Sequence, residues 1–374
     1  MTSSHSTAPA LHDQWSGRHD GDGADHARWH EVVRLPADPS PSGSQAPSAP
    51  GPDASSPTDF GRHIGVLGFR SDEGVRRNAG RTGAADGPRA LRAALSGMAL
   101  HGLLGDGSVA IVDHGDEVTH GEDLEDGQAR QADATGRALS ADGNTLTVVL
   151  GGGHETAWPS YGGLQQALDA GALRPDDAGT GAAGDAGAGS GAAGDRPRWG
   201  VLNLDAHFDL RRADAPSSGT PFLQIAEAER AQGRDLNYAV VGIAEASNTK
   251  VLFDTARDLG VEWMTDEECA SVGRDGIADF IESFAEQLDV LYLTIDLDVL
   301  PAHTAPGVSA PAAFGVEFAL ILHAVQVAAR TGKLRLLDVV ELNPTLDIDD
   351  RTAKAAARLI TDAASIAAGE TAGE

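Results

Sequence analysis

Three mainly apolar runs, each followed by polar residues, constrain this 374-residue chain more than any other feature. The runs are TLTVVL (145–150), WGVLNL (199–204) and VLYLTI (290–295), and they are followed by GGGHE, DAHFD and DLD, respectively. Runs of this length and character are typical of strands that are buried on both faces of a parallel sheet. The carboxyl ends of parallel strands meet at one edge of a sheet, so we expect the residues after the three runs to lie together.

The side chains after these strands are metal ligands by type and by spacing. Alternate residues of an extended segment project to the same side, so the aspartates and histidine of DAHFD should project together, as should the two aspartates of DLD. A single aspartate in such a place could instead cap a helix or form a turn, but two clusters and a histidine favour a metal site. The candidate ligands are His154, Asp205, His207, Asp209, Asp296 and Asp298.

The charge and donor types of this set indicate which ions it would bind. Four carboxylates crowded together repel one another, and two divalent cations would balance their charge. Oxygen and nitrogen donors without sulfur suit Mn²⁺ or a similar ion better than a structural zinc site, which favours tetrahedral Cys/His ligation. The sequence therefore predicts a two-metal site.

Four strings of this sequence resemble the arginase/agmatinase/formimidoylglutamase superfamily of ureohydrolases. They are GGGHE, NLDAHFDLR (203–211), TIDLDVLPAHTAPGVSAP (294–311) and DVVELNP (338–344), and the likeness extends from about residue 65 to residue 360. The resemblance implies two Mn²⁺ per subunit. It assigns one ion to His154, Asp205, Asp209 and Asp296, and the other to Asp205, His207, Asp296 and Asp298, with Asp205 and Asp296 bridging.

Within this superfamily, several stretches are most similar to formimidoylglutamases. They include residues 69–92, the Glu155 of GGGHE, the SGTPF string (218–222) and the SNT that ends residues 241–249. Arginases and agmatinases usually carry a histidine, thought to shuttle protons, where this chain has Ser218. This difference argues against an arginase proper and agrees with an amidine substrate, and it leaves the proton path open.

The resemblance implies an enzyme of histidine degradation that hydrolyses N-formimidoyl-L-glutamate to L-glutamate and formamide. A hydroxide that bridges the metals would attack the amidine carbon. Asp209 would protonate the leaving amine, and Glu341 would pair with the amidinium. Arg211, Asn248 and Thr249 are further candidates for substrate binding. For Arg211 a surface ion pair, and for the other two a role in a turn, stay open as alternatives.

Two other functions remain open at this point. One is an agmatinase or guanidinobutyrase type of ureohydrolase that releases urea from a guanidino substrate. The other is a catalytically silent metal-binding protein on the same fold, which is disfavoured because all six ligand positions and Glu341 are present.

The order of the predicted elements indicates an α/β fold. Strands alternate with helical patterns such as those of residues 316–331 and 351–368, which predicts a three-layer α/β/α architecture around a mostly parallel sheet, as in arginases. We expect one catalytic domain over residues 61–370. Residues 1–60, rich in Ser, Pro, Gly and Asp, predict a disordered low-complexity tail, and the Gly/Ala-rich residues 175–198 predict a structureless surface insertion.

Composition limits the partners of the chain. The net charge is −28, with 28 Lys+Arg against 56 Asp+Glu, which argues against a nucleic-acid partner. Cys269 is the only cysteine, so the chain forms no internal disulfide. No apolar run approaches about 18 residues, and no secretory signal pattern is present. We therefore expect a cytoplasmic protein without membrane contact. The resemblance implies a small amidine substrate, and we also expect a homo-oligomer.

Overall fold

In the computed structural model, the described residues 10–36, 60–173 and 196–369 build one sheet of nine strands. All neighbouring strands are parallel, in the order β1-β3-β2-β4-β9-β8-β5-β6-β7. The strands are β1 Val33–Arg34, β2 His63–Arg70, β3 Ala110–Val118, β4 Asn144–Leu150, β5 Trp199–Leu204, β6 Tyr238–Ile243, β7 Glu262–Thr265, β8 Val290–Asp296 and β9 Leu334–Val340.

Helices cover both faces of this sheet, because its strands are apolar on both sides. One apolar cluster joins the sheet to α3, α9, α10 and α11, and a second joins it to α5, α6, α7 and α8. The predicted three-layer α/β/α fold is thereby confirmed. The helices are α1 Trp29–Val32, α2 Glu73–Arg77, α3 Gly87–Ser96, α4 Gly102–Gly105, α5 Leu124–Leu139, α6 Ala157–Asp169, α7 Pro221–Ala231, α8 Lys250–Leu259, α9 Asp266–Glu286, α10 Phe318–Arg330 and α11 Arg351–Ala367.

Successive side chains of the central strands point alternately into the two apolar clusters, which fixes the orientation of each strand in the sheet. In β4, Val148 and Leu150 belong to the first cluster and Val149 to the second. All three are fully buried. The middle of the sheet is the run β4-β9-β8-β5, so the carboxyl ends of these four strands lie side by side. Among the described residues, no helix has both the length and the apolar character that a bilayer span requires.

The prediction of a disordered tail over residues 1–60 is wrong for residues 10–36. Trp29 is fully buried, and its Nε1 donates to Thr361 Oγ1 of α11 at 3.1 Å. Trp15 stacks on Trp29 with ring centroids 6.1 Å apart, and its Nε1 donates to Asp113 Oδ2 at 2.7 Å. The segment also adds β1 to the edge of the sheet beside β3. A few large apolar side chains order this segment although its overall composition is polar.

The other predictions on domain organisation are not tested. The remaining residues of the tail and most of the 175–198 insertion lie outside the described residues. The single catalytic domain at 61–370 therefore stays a prediction, with the correction that β1, which precedes residue 61, pairs with β3 of the same sheet.

A buried carboxyl group ties the second helical layer to the centre of the sheet. Asp338 of β9 accepts hydrogen bonds from Tyr292 Oη of β8 at 2.6 Å and from Ser160 Oγ of α6 at 3.0 Å. All three side chains are fully buried. Burial raises the pKa of Asp338 to about 7, because the charged form loses its hydration.

Replacing Trp29 with alanine should destabilise the protein by roughly 3–5 kcal/mol, the usual cost of removing a large buried aromatic side chain. The free energy of unfolding in urea measures this loss. Arg18→Ala is the control, because Arg18 is exposed and makes a surface ion pair with Asp20. Equal stabilities of the two variants would contradict the packing of residues 10–36.

Asp338→Asn should change how stability depends on pH. Because burial raises the pKa of Asp338 in the folded state, its protonated form stabilises the native protein. That contribution is fully present below about pH 4 and is lost as the pH rises through about 7. Asparagine stays neutral, so from pH 5 to pH 8 the variant should gain roughly 1–3 kcal/mol relative to wild type in urea unfolding. Parallel pH curves would show that this carboxyl group does not titrate as the structure implies.

Candidate active site

The six predicted metal ligands lie together at the carboxyl edge of the sheet. Asp296 is the last residue of β8, and the other five lie in the turns that follow β4, β5 and β8, the three strands expected from the sequence. Five of the six are buried, and the His207 side chain is 22% exposed. The described residues contain two groups with metal-binding geometry, namely His154/Asp205/Asp209 and Asp205/His207/Asp298.

In the first group, one imidazole nitrogen faces several carboxylates. His154 Nδ1 lies 3.0 Å from Asp209 Oδ2, and 3.2 Å from one oxygen each of Asp205 and Asp296. This nitrogen is buried and has no hydrogen-bond partner among the described residues. The other ring nitrogen, Nε2, lies 3.1 Å from Thr294 Oγ1. If Nε2 donates to that hydroxyl, the lone pair of Nδ1 points at the carboxylates, an arrangement that needs a cation between them.

The second group shares Asp205 with the first. Asp205 Oδ1 lies 3.5 Å from His207 Nδ1, and Asp298 Oδ2 lies 3.0 Å from the same nitrogen. Asp205 thus offers one oxygen to each histidine. The carboxylates are also oriented by nearby donors: Asn203 Nδ2 donates to Asp205 Oδ2 at 2.9 Å, and the Asp298 amide donates to Asp296 Oδ1 at 2.9 Å.

The electrostatics of the cluster also favour bound cations. Burial is the largest cause that raises the pKa values of Asp209, Asp296 and Asp298. The negative charge of Asp205 raises all three further, and that of Asp298 also acts on Asp296. Carboxylates that repel one another in this way are stabilised in their ionised form by bound cations.

Two acidic residues of the site have strained backbones. Asp209 and Glu341 adopt φ angles of 49° and 66°, in the left-handed region that side chains disfavour. The Glu341 amide donates to the Gly152 carbonyl at 2.7 Å, and Glu341 Oε1 accepts from the His154 amide at 2.8 Å. These bonds hold Glu341 against the turn that carries His154. Burial is the largest cause that raises the pKa of Glu341 to about 8, and Glu155 contributes next.

Glu155 has a structural role that the sequence did not reveal. It is 1% exposed, and its Oε1 accepts from Ser71 Oγ and from the Gly74 amide, both at 2.9 Å. Its Oε2 is buried without a partner in the described residues, and burial raises the pKa of Glu155 to about 7. A Cβ at Gly74 or Gly153 would come within 2.5 or 2.1 Å of Oε2, so both positions require glycine. The turn after β4 is thereby joined to the segment after β2.

Of the candidates Arg211, Asn248 and Thr249, Asn248 has a structural role. The amide of buried Asn248 donates to the carbonyls of Ala206 and Ala244, both at 2.9 Å, and its oxygen accepts from the Phe208 amide at 3.2 Å. This differs from the prediction that Asn248 binds substrate, because both of its amide protons are committed to the backbone. Asn248 instead holds the turn that carries Asp205, His207 and Asp209.

Arg211 and Thr249 remain candidates for substrate binding, because both are exposed. Thr249 precedes the first residue of α8. Arg211 lies opposite Gly219, whose carbonyl accepts from the Arg211 amide at 2.9 Å. Ser218, at the position discussed for proton transfer, accepts a hydrogen bond from Asn78 Nδ2 at 3.2 Å. Asn78 was not among the predicted site residues.

Comparison with known proteins identifies the family of the chain. Residues 62–365 match the model of the arginase family. A formimidoylglutamase of Rhodococcus jostii is 45% identical over 349 residues, which cover 92% of this chain and 93% of that protein. The crystal structure of a Bacillus subtilis formimidoylglutamase matches with a TM-score of 0.71 and 20% identity, over 94% of this chain and 95% of that one. A Trypanosoma cruzi formiminoglutamase, solved with Mn²⁺, matches with a TM-score of 0.64 and 23% identity, over 83% of this chain and 95% of that one. The protein belongs to the arginase family.

Proposed function

We propose that this protein is a formimidoylglutamase that hydrolyses N-formimidoyl-L-glutamate to L-glutamate and formamide, a step of histidine degradation. The choice of substrate is supported by relatives that are 40–45% identical over most of their length and carry this activity as their name. The single structural observation that carries the proposal is His154 Nδ1, a buried nitrogen that has no hydrogen-bond partner among the described residues and faces three carboxylates.

We assign the six clustered side chains to two Mn²⁺ ions. One ion would be held by His154, Asp205, Asp209 and Asp296, and the other by Asp205, His207, Asp296 and Asp298. Donors without sulfur suit Mn²⁺, and the Trypanosoma cruzi relative was solved with this ion. When bound, such a pair of cations lowers the pKa of water and supplies a hydroxide nucleophile near neutral pH.

Glu341 is suited to hold the amidinium group of the substrate. Its Oε1 is fixed by the His154 amide, so the carboxylate has one orientation beside the metal ligands. A carboxylate can accept two parallel hydrogen bonds from the two nitrogens of an amidinium. The cationic substrate would also favour the ionised form of Glu341, whose pKa burial raises in the free protein. Glu341 would thus orient the amidine carbon toward the metal side of the site.

Asp209 is the candidate that delivers a proton to the leaving amine. Its side chain is 11% exposed, whereas that of Asp205 is fully buried, so Asp209 is the more accessible of these two carboxylates. Ser218 offers a hydroxyl where arginases have a titratable imidazole, and a hydroxyl does not change its charge near neutral pH. We therefore assign the proton transfer to Asp209 and not to residue 218.

The products identify the reaction. Purified protein loaded with Mn²⁺ should release formamide and glutamate from N-formimidoyl-L-glutamate, and it should release neither urea from agmatine nor urea from guanidinobutyrate. Formamide, urea and ammonia are measured separately. Release of urea would favour the guanidino alternative, and metal uptake without turnover of any substrate would favour a silent metal-binding protein.

Arg211→Met should weaken the binding of a substrate carboxylate. A charge-assisted hydrogen bond contributes roughly 1.5–3 kcal/mol, so KM for N-formimidoyl-L-glutamate should rise roughly 10–100-fold while metal content stays unchanged. Arg212→Met is the matched control, because the adjacent Arg212 is exposed and pairs with Glu227 at 3.1 Å. An unchanged KM in Arg211→Met would exclude Arg211 from the substrate site.

Asp205→Ala should abolish binding of both ions, because Asp205 offers an oxygen to each ligand group. Metal content after dialysis is measured by elemental analysis, beside the fully loaded wild type. Asp214→Ala is the control, since Asp214 is an exposed aspartate on the same connection. Two full equivalents of metal in Asp205→Ala would refute its bridging assignment.

A further inference from the structure

The segment after β2 is attached to the loops after β4, β8 and β9, three of those that carry site residues. We call residues 71–83 the strap. The Ser71 carbonyl accepts from the Gly153 amide of the β4 turn at 2.9 Å, and Arg81 donates to the Val308 carbonyl beyond β8 at 2.8 Å. Asn343, after β9, donates to the carbonyl of Thr82 at 2.9 Å. These bonds, with those of Glu155, place the strap across the carboxyl edge of the sheet.

The strap holds Asn78 in a defined position at the end of α2. Ala79 follows with a φ of 60°, in the left-handed region. Its amide donates to the Arg76 carbonyl at 3.0 Å, and the Gly80 amide donates to the Val75 carbonyl at 2.8 Å. This pair of bonds is a Schellman motif, which usually has glycine where this chain has alanine. The backbone is strained at Ala79, and Asn78 is the residue that immediately precedes it at the end of α2.

Asn78 and Arg211 approach the same point above Gly219. A Cβ at Gly219 would lie 3.1 Å from Asn78 Nδ2, 2.8 Å from Arg211 Cδ and 3.3 Å from Arg211 Nε. Both side chains are exposed, so a ligand can reach them. No carboxylate in the described parts of the chain forms an ion pair with Arg211, whereas the neighbouring Arg212 pairs with Glu227. A side chain at Gly219 would collide with Arg211, so the glycine allows Asn78 and Arg211 to lie this close together.

We infer that Asn78 is a specificity-determining residue, and that its amide and the Arg211 guanidinium together bind one carboxylate of the substrate. This inference rests on the proposed function. One Asn78 N–H donates to Ser218 Oγ, which leaves the second free for a ligand. A cation beside a neutral donor suits a carboxylate, and a substrate without this group would leave both donors unpaired. The subsite should therefore favour substrates that carry a carboxylate over analogues that lack one.

Two substitutions of Asn78 test this subsite by kinetics on the Mn²⁺-loaded enzyme. Asn78→Leu keeps the volume but removes the donor, and it should raise KM for N-formimidoyl-L-glutamate about 10-fold with little change in kcat. Asn78→Asp should raise KM further, because the new carboxylate competes for Arg211. Neither variant should change turnover of N-butylformamidine, whose tail is uncharged, and Arg212→Met should change none of these values. An unchanged KM, or an equal loss with both substrates, would overturn the inference.

Calorimetric titration with L-glutamate separates this inference from the proposed reaction, because it requires no turnover. The wild type should bind L-glutamate, and Asn78→Leu should bind it about 10-fold more weakly at unchanged metal content. Equal affinities, or no binding by the wild type, would overturn the subsite. Failure of the wild type to release formamide while these affinities still differ would reject the proposed reaction alone.

Discussion

Like charges held together in a buried place are the constraint on which the site depends. Asp205, Asp209, Asp296 and Asp298 lie within a few ångströms of two histidines at the centre of the sheet edge. Burial and the negative charge of neighbouring carboxylates both disfavour the ionised forms of Asp209, Asp296 and Asp298. Bound cations would reverse that balance, so the same features that disfavour the ionised carboxylates would favour the binding of metal ions. The surrounding protein can hold such a cluster only if it is rigid.

That rigidity comes from groups that do no chemistry themselves. Asn248 fixes the turn after β5 through the backbone, Thr294 orients His154, and Glu155 joins the turn after β4 to the strap. The left-handed backbones at Asp209 and Glu341 are maintained by the same framework. Strain of this kind costs on the order of 1–3 kcal/mol per residue and persists where the surroundings determine the conformation. The apolar layers on both faces of the sheet supply the stability that this requires.

Much of the fold and the clustering of the six ligand candidates could be predicted because both depend on local patterns. Strand β5 coincides with the predicted WGVLNL run, and the polar residues after β4, β5 and β8 meet because parallel strands end at one edge. Glu155, Asn78 and Asn248 could not be assigned in this way, because their partners are distant in sequence and no periodicity marks them. Residues 10–36 were misread for a related reason: Trp15 and Trp29 order a polar segment by contacts with Asp113 and Thr361.

In an all-parallel sheet, the amino ends of the strands lie at one edge and the carboxyl ends at the other. A change in the length of a connection does not have the same effect at the two edges. Every turn that carries a candidate ligand leaves a strand at the carboxyl edge, whereas the connection from α6 enters β5 at the amino edge. β5 has six residues, so these edges are separated by roughly 20 Å along that strand. Extra chain between Leu173 and Arg196 therefore joins the molecule on the side away from the ligands. We therefore expect a change in the length of that connection to disturb the ligands less than a single residue inserted in DAHFD, which would displace the ligands that follow it in the same turn.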